Sequence, residues 1–183
     1  MMSNHSAQTV LQFWFEELQP KQWWRIDSAV DNDIAMRFGD LHRQAGNCEL
    51  YKWRQSADGR LAEIIILDQF SRNIYRNASK AFSQDPLALA LAQEAVANNA
   101  LQTLDKQRGA FLLMPYMHSE SKPIHEQAIK LFEQLGSGNN LDFELRHKAI
   151  IDRFGRYPHR NAILGRESTP EELAFLQEPG SSF

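Results

Sequence analysis

LAEIIILDQFSRNIYR, residues 61–76, is the stretch that decides the fold class. Ile64-Ile65-Ile66-Leu67 inside it is the best strand candidate in the chain, because a short run of β-branched residues suits a buried strand. That run nevertheless lies within a longer pattern of helical spacing, from near Ala57–Asp58 to about Arg76. A helix apolar on every side is a buried one, so this segment reads as a core helix and the chain as all-α. At roughly 100° per residue, Leu61, Ile65, Asp68, Arg72 and Arg76 share a face. The apolar stripe becomes charged as the helix proceeds. A carboxylate there is costly unless paired, and Arg72, four residues on, is the expected partner of Asp68.

The helical pattern continues on both sides, and no window alternates cleanly with period two. Val10, Leu11, Trp14 and Phe15 mark a helix from Ser6 to Leu18, stopped by Pro20. Ser28 with Asp31 resembles a capping box and opens a helix with the stripe Val30, Ile34, Phe38, Leu41 and Ala45, ended by Gly46. Asp85-Pro86 reads as an N-cap followed by proline at the first turn, for a helix through Ala97. A shorter helix is expected from Leu104 to Leu113, ending before Pro115. Others follow from Ser121 to Leu135 before Gly136, and from Asn140 to Phe154 before Gly155. Ser168-Thr169-Pro170-Glu171-Glu172 is a capping box for a last helix to about Gln177. Starts recurring at a spacing of about 36 residues match stacked helical hairpins, without tetratricopeptide signature residues.

A chain of 183 residues with 43% hydrophobic and 23% charged content is expected to form a single domain over 1–183. No apolar run approaches a membrane span, and MMSNHSAQ lacks the pattern of a signal peptide. One cysteine, Cys48, allows no disulfide within a chain. A reduced, cytoplasmic setting is expected. The formal net charge of -3 argues against nucleic acid as a partner, although a local basic patch could still act, and no membrane partner is expected either.

Three constellations could carry chemistry. The first is Asp68, Arg72 and Arg76. The second is MPYMHSE, residues 114–120, read as an irregular loop after a helix-ending proline, with His118 and Glu120 as the groups of interest. The third is RHKAIIDRFGRYPHRNAILGR, residues 146–166. It holds six Lys and Arg against the single acid Asp152. Arg153, Arg156, His159 and Arg160 lie there, near a turn forced by Tyr157-Pro158. Such a cluster could hold an anion. The bland alternative is that Asp68, Glu120 and Asp152 consume these cations internally, and that His118 and Glu120 only cap helix ends.

Metal and cofactor signals are poor. Glu144 and His147 form one half of a di-metal motif without a second half, and the gap from His118 to His125 is not a zinc spacing. Neither a nucleophile elbow nor a glycine-rich phosphate loop occurs. No metal and no cofactor is expected. Trp14, Trp23, Trp24 and Trp53 read as packing of the N-terminal helices, with Trp23 or Trp24 as alternatives for lining a groove.

The stretches VLQFWFEE, QWWRIDSAVDNDI, LDQFSRNIYR, MPYMHSE and IIDRFGRYPHRNAILGRESTPEE together resemble the bacterial domain-of-unknown-function family numbered 924, from Val10 to Leu176. The resemblance implies a tetratricopeptide-like right-handed superhelix of antiparallel helical hairpins, with about 8 to 9 helices. It implies no activity and no catalytic residue. Three function classes remain open. A helical scaffold could bind a small anionic ligand or an acidic peptide end through Asp68, Arg72, Arg76, His118, Glu120, Arg153, Arg156, His159 and Arg160. An enzyme on an anionic substrate could use His118 or His159 as acid or base, oriented by Glu120 or Asp68. A protein interaction module would have no pocket at all. Oligomeric state is not legible.

Overall fold

The computed structural model describes residues 6–182, and among them every regular element is helical. The main helices are α1 (Ala7–Gln12), α2 (Ser28–Gly46), α3 (Ala57–Ile65), α4 (Ser71–Ile74), α5 (Asp85–Ala97), α6 (Lys106–Met117), α7 (Lys122–Leu135), α8 (Gly138–Phe154) and α9 (Pro170–Phe175). They stack as antiparallel hairpins into a helical superhelix.

The decisive stretch is a helix, and a buried one. Leu61, Ala62 and Ile64 to Leu67 have no exposed surface. α3 runs into a π-helical turn, Ile66–Phe70, and then into α4. The combined rod packs against α1, α2, α5 and α6. Apolar neighbours on all sides explain why β-branched residues sit in a helix here: burial outweighs a propensity cost of a few tenths of a kcal/mol per residue. α1 likewise continues as a π turn, Phe13–Glu17. Phe13, Trp14, Phe38, Phe70 and Phe111 form an aromatic core between these helices. Trp23 donates its indole N–H to the Trp14 carbonyl at 2.9 Å, and the exposed Trp24 stacks on Phe111.

Caps explain most boundaries. Ser6, Ser56 and Asp105 each accept a hydrogen bond from the first turn of their helix, and Thr169 with Glu172 forms the expected capping box. Gly136 and Gly155 end α7 and α8 in the left-handed conformation, as read. Four readings need correction. α2 is capped by Asp27, one residue before the serine that was expected. Gly46 stays helical, and Cys48 takes the positive φ instead. Asp85 is already helical rather than an N-cap, which leaves its carboxylate for other partners. α6 runs through Pro115 to Met117, so residues 114–117 are helical and buried, not an irregular loop. An interior proline costs roughly 3 kcal/mol. Burial of Gly109 to Met117 as a continuous run offsets it.

Candidate functional site

The end of α6 organises the site. The last carbonyls of a helix have no partner within it. Here side chains supply the donors. Tyr157 Oη donates to the Met117 carbonyl at 2.6 Å, Arg160 Nη1 to the His118 carbonyl at 3.1 Å, and His125 Nε2 to the Ser119 carbonyl at 2.8 Å. A guanidinium at a helix C-terminus is also favoured by the helix dipole. The segment Tyr157–Arg160 is held in place by an extended Tyr157 before Pro158 and a short 3-10 turn. The basic stretch thus wraps the end of the proline-bearing helix.

Around that end runs a closed circuit of five side chains. Asp68, in the π turn and 1% exposed, accepts from His118 Nδ1 at 2.7 Å and from Gln69 at 2.6 Å, and meets Arg72 at 3.2 Å. Arg72 donates both terminal nitrogens to Asp85 at 3.0 and 3.1 Å. Arg160 reaches Asp85 only at 3.5 Å, and returns to the His118 carbonyl. Phe82 lies under both guanidinium groups, and Tyr157 under that of Arg160. π turns recur at functional positions, and this one places Asp68 and Gln69 together against the end of α6.

The circuit is uneven. Burial raises the Asp68 carboxyl, but Arg72 and His118 beside it outweigh this and hold it well below the usual carboxylate range. Burial, then Arg72, lowers the His118 imidazole against the pull of Asp68, so it is neutral near pH 7. An ionised Asp68 only accepts, which places the His118 proton on Nδ1 and leaves a lone pair on Nε2. Nε2 makes no hydrogen bond among the described residues, and the side chain keeps 15% exposure. Arg160 is 5% exposed, and its Nε has no partner among the described residues. Burial and the nearby Arg72 lower its guanidinium affinity for protons, which Asp85 only partly restores.

Behind the circuit lies a histidine cluster on Tyr157, whose ring meets those of His125, His147 and His159 at 5.7 to 6.3 Å. His125 and Glu144 are wholly buried and 2.6 Å apart. Their proton count follows from geometry. His125 Nε2 faces a carbonyl and must carry hydrogen. Its Nδ1 faces Glu144 Oε1, so one of those two atoms must carry another. The pair therefore holds a proton in the folded state. Burial raises the Glu144 carboxyl despite His125, and its second oxygen has no partner among the described residues.

The other expected site residues are engaged elsewhere. The rod ends at Tyr75 with Asn77 in the left-handed region, which turns Arg76 away to Asp31, at 2.6 and 2.7 Å. Arg153 pairs with Glu171, and Arg156 with Glu172 at 2.6 and 2.8 Å. Glu120 accepts from Arg166 at 2.6 and 2.9 Å and from the Tyr157 N–H at 2.7 Å. His159 stacks on Tyr157 and is depressed to about 4 by burial and Arg160. Asp152 takes Lys148. The internal reading of the basic stretch therefore holds for most of its cations. Asp68, Arg72, His118 and Arg160 come together, and Asp85, Phe82, Tyr157, His125 and Glu144 join them unannounced. In the sequence Asp85 pointed to a cap, Tyr157 to a turn, and His125 and Glu144 only to incomplete metal patterns.

No group of three or more potential metal ligands occurs among the described residues. No helix there is long and apolar enough to cross a membrane. Surface depressions along Arg54, Ser56 and Asn99, and along Gln22, Arg25 and Ile26, share no residue with the circuit.

A family model described as a bacterial protein of unknown function, DUF924, matches residues 10–180. The fold is similar to a solved structure, a protein of unknown function, ATU0120, from Agrobacterium tumefaciens. The TM-score is 0.89 at 37% identity, covering 93% of this chain and 96% of that one. No curated protein matches.

Proposed function

For a chain that belongs to the bacterial DUF924 family of unknown function, we propose a helical scaffold that binds a small anion at the end of α6, with Arg160 as the principal cation and His118 beside it. One observation carries this reading. Arg160 is almost wholly buried, its Nε has no partner among the described residues, and its nearest carboxylate is at 3.5 Å. A buried guanidinium so poorly compensated is costly unless a ligand completes it. Arg72, Arg76, Arg153, Arg156 and Arg166 are not counted as ligand groups, because each has a close carboxylate of its own.

Thermal shifts with a panel of small carboxylates and phosphate test it, since a ligand of the native state raises stability by mass action. Several anions should raise the melting temperature above chloride at matched ionic strength. Arg160→Met should lose the increment while still folding, because Asp85 keeps its bidentate Arg72. An increment retained by the variant, or none in the wild type, rejects the site.

A second reading, acid–base chemistry on the bound anion, is favoured by the Asp68–His118 pair at 2.7 Å, which presents Nε2 as a base. It predicts slow conversion of a bound anion, visible as new proton resonances and abolished in His118→Gln. Unchanged ligand after prolonged incubation removes it.

A further inference from the structure

We propose that the ligand is a hydroxylated or protonated anion, such as a 2-hydroxycarboxylate or a hydrogen phosphate, recognised by Arg160 through its negative oxygen and by His118 Nε2 through its O–H. This rests on the anion-binding reading above and names the class of ligand.

The inference follows from which atoms can donate. Asp68 Oδ1 already receives Arg72 at 3.2 Å and His118 Nδ1 at 2.7 Å. Asp68 Oδ2 receives Gln69 at 2.6 Å. Both oxygens act as acceptors, so the imidazole holds its hydrogen on Nδ1. Nε2 is then a lone pair beside a guanidinium. It repels a bare anionic oxygen and accepts from a hydroxyl. Arg160 does the reverse, having donors to spare at Nε. Arg160 Nη1 binds the backbone carbonyl of His118, so the guanidinium lies against the residue that carries the imidazole. The pair asks for a ligand that carries both an acceptor and a donor.

Charge points the same way. The circuit contains Asp68 and Asp85 against Arg72 and Arg160, formally neutral with His118 uncharged. Any anion therefore adds its own charge to a partly dry site, which penalises a dianion more than a monoanion. Other groups acting on the imidazole are Asp85 from α5, and His147 from α8 and His159 from the 157–160 turn, both depressed by burial.

The experiment compares two matched pairs by isothermal titration of the full chain. Glycolate and acetate differ by one hydroxyl at equal charge. Phosphate and sulfate differ in whether the ion keeps a proton near neutrality. At pH 7.5, glycolate should bind about tenfold more tightly than acetate, the worth of one hydrogen bond, and phosphate should exceed sulfate. As pH falls through the titration of His118, Nε2 gains hydrogen and both preferences should collapse. This is read on the wild type, so it does not depend on a variant folding. His118→Phe, which keeps a planar ring without an acceptor, should bind glycolate and acetate alike. Equal affinities within both pairs at pH 7.5, with binding lost in Arg160→Met, overturn this inference and leave the anion site standing. Absence of binding by all four ions overturns both.

Discussion

Asp68 is the residue on which the site turns. A carboxylate 1% exposed and bonded to Arg72, His118 and Gln69 cannot be deleted cheaply. Asp68→Ala leaves a buried arginine short of a partner and a histidine without its orienter, and should cost about 3–5 kcal/mol, read as a lowered urea midpoint. A cost under about 1 kcal/mol would show that water replaces the carboxylate without penalty. Because the folded carboxyl is held low, its contribution is present above the unfolded value near 3.9 and is lost as pH falls below it. Gly59 is constrained for a different reason. A Cβ there would lie 2.0 Å from the Trp53 carbonyl oxygen, so backbone meets backbone where the 51–55 turn enters α3. Gly59→Ala should cost at least the 1–3 kcal/mol typical of overpacking, measured by thermal unfolding.

Among the elements, the α7–α8 hairpin is joined by a proton. His125 and Glu144 lie on facing helices, and the hydrogen between them is required by the carbonyl on the other side of the imidazole. Glu144→Gln keeps a donor toward Nδ1 without needing a titratable proton, and should stay within about 1 kcal/mol of wild type. Glu144→Ala removes the partner and opens a cavity, and should cost about 2–4 kcal/mol. Equal costs for the two would mean that volume, not the proton, joins the helices. α6 shows the same dependence between elements. Its end is capped by donors from α7 and from the 157–160 turn, so a proline-bearing helix keeps its last turn.

The whole molecule should be acid-sensitive well above the range of its carboxylates. His147 and His159 are depressed to about 3 and about 4, chiefly by burial, and remain neutral in the fold while the unfolded chain takes up protons near 6.5. Stability should therefore fall as pH drops below about 6.5, by up to about 1.4 kcal/mol per pH unit for each such histidine. Glu144 acts with the opposite sign: its raised carboxyl costs stability as pH rises above about 4.5, its unfolded value. Urea midpoints from pH 7.5 to 4.5 give the net slope, and His147→Gln should flatten it. A slope in His147→Gln equal to that of the wild type would mean that this imidazole is protonated in the fold.

The helical class, the buried central helix and most helix starts were legible in the chain, because periodicity and caps depend on residues within a few positions of one another. The stripe Val30, Ile34, Phe38, Leu41, Ala45 and the box at Thr169 and Glu172 needed no tertiary information. Charge partners did. Asp85 meets Arg72 thirteen residues away and Arg160 seventy-five away, and no local pattern encodes such a pairing. The face shared by Asp68, Arg72 and Arg76 assumed a continuous α-helix, and the early end of the rod sent Arg76 to Asp31. Pro115 reads locally as a stop, yet burial on every side carries the helix through it. What the sequence determined was where helices form and which faces are apolar. What only the tertiary structure decided was which cations are satisfied, because an ion pair forms between whatever charges packing brings within about 4 Å, and packing sums contacts over the whole chain.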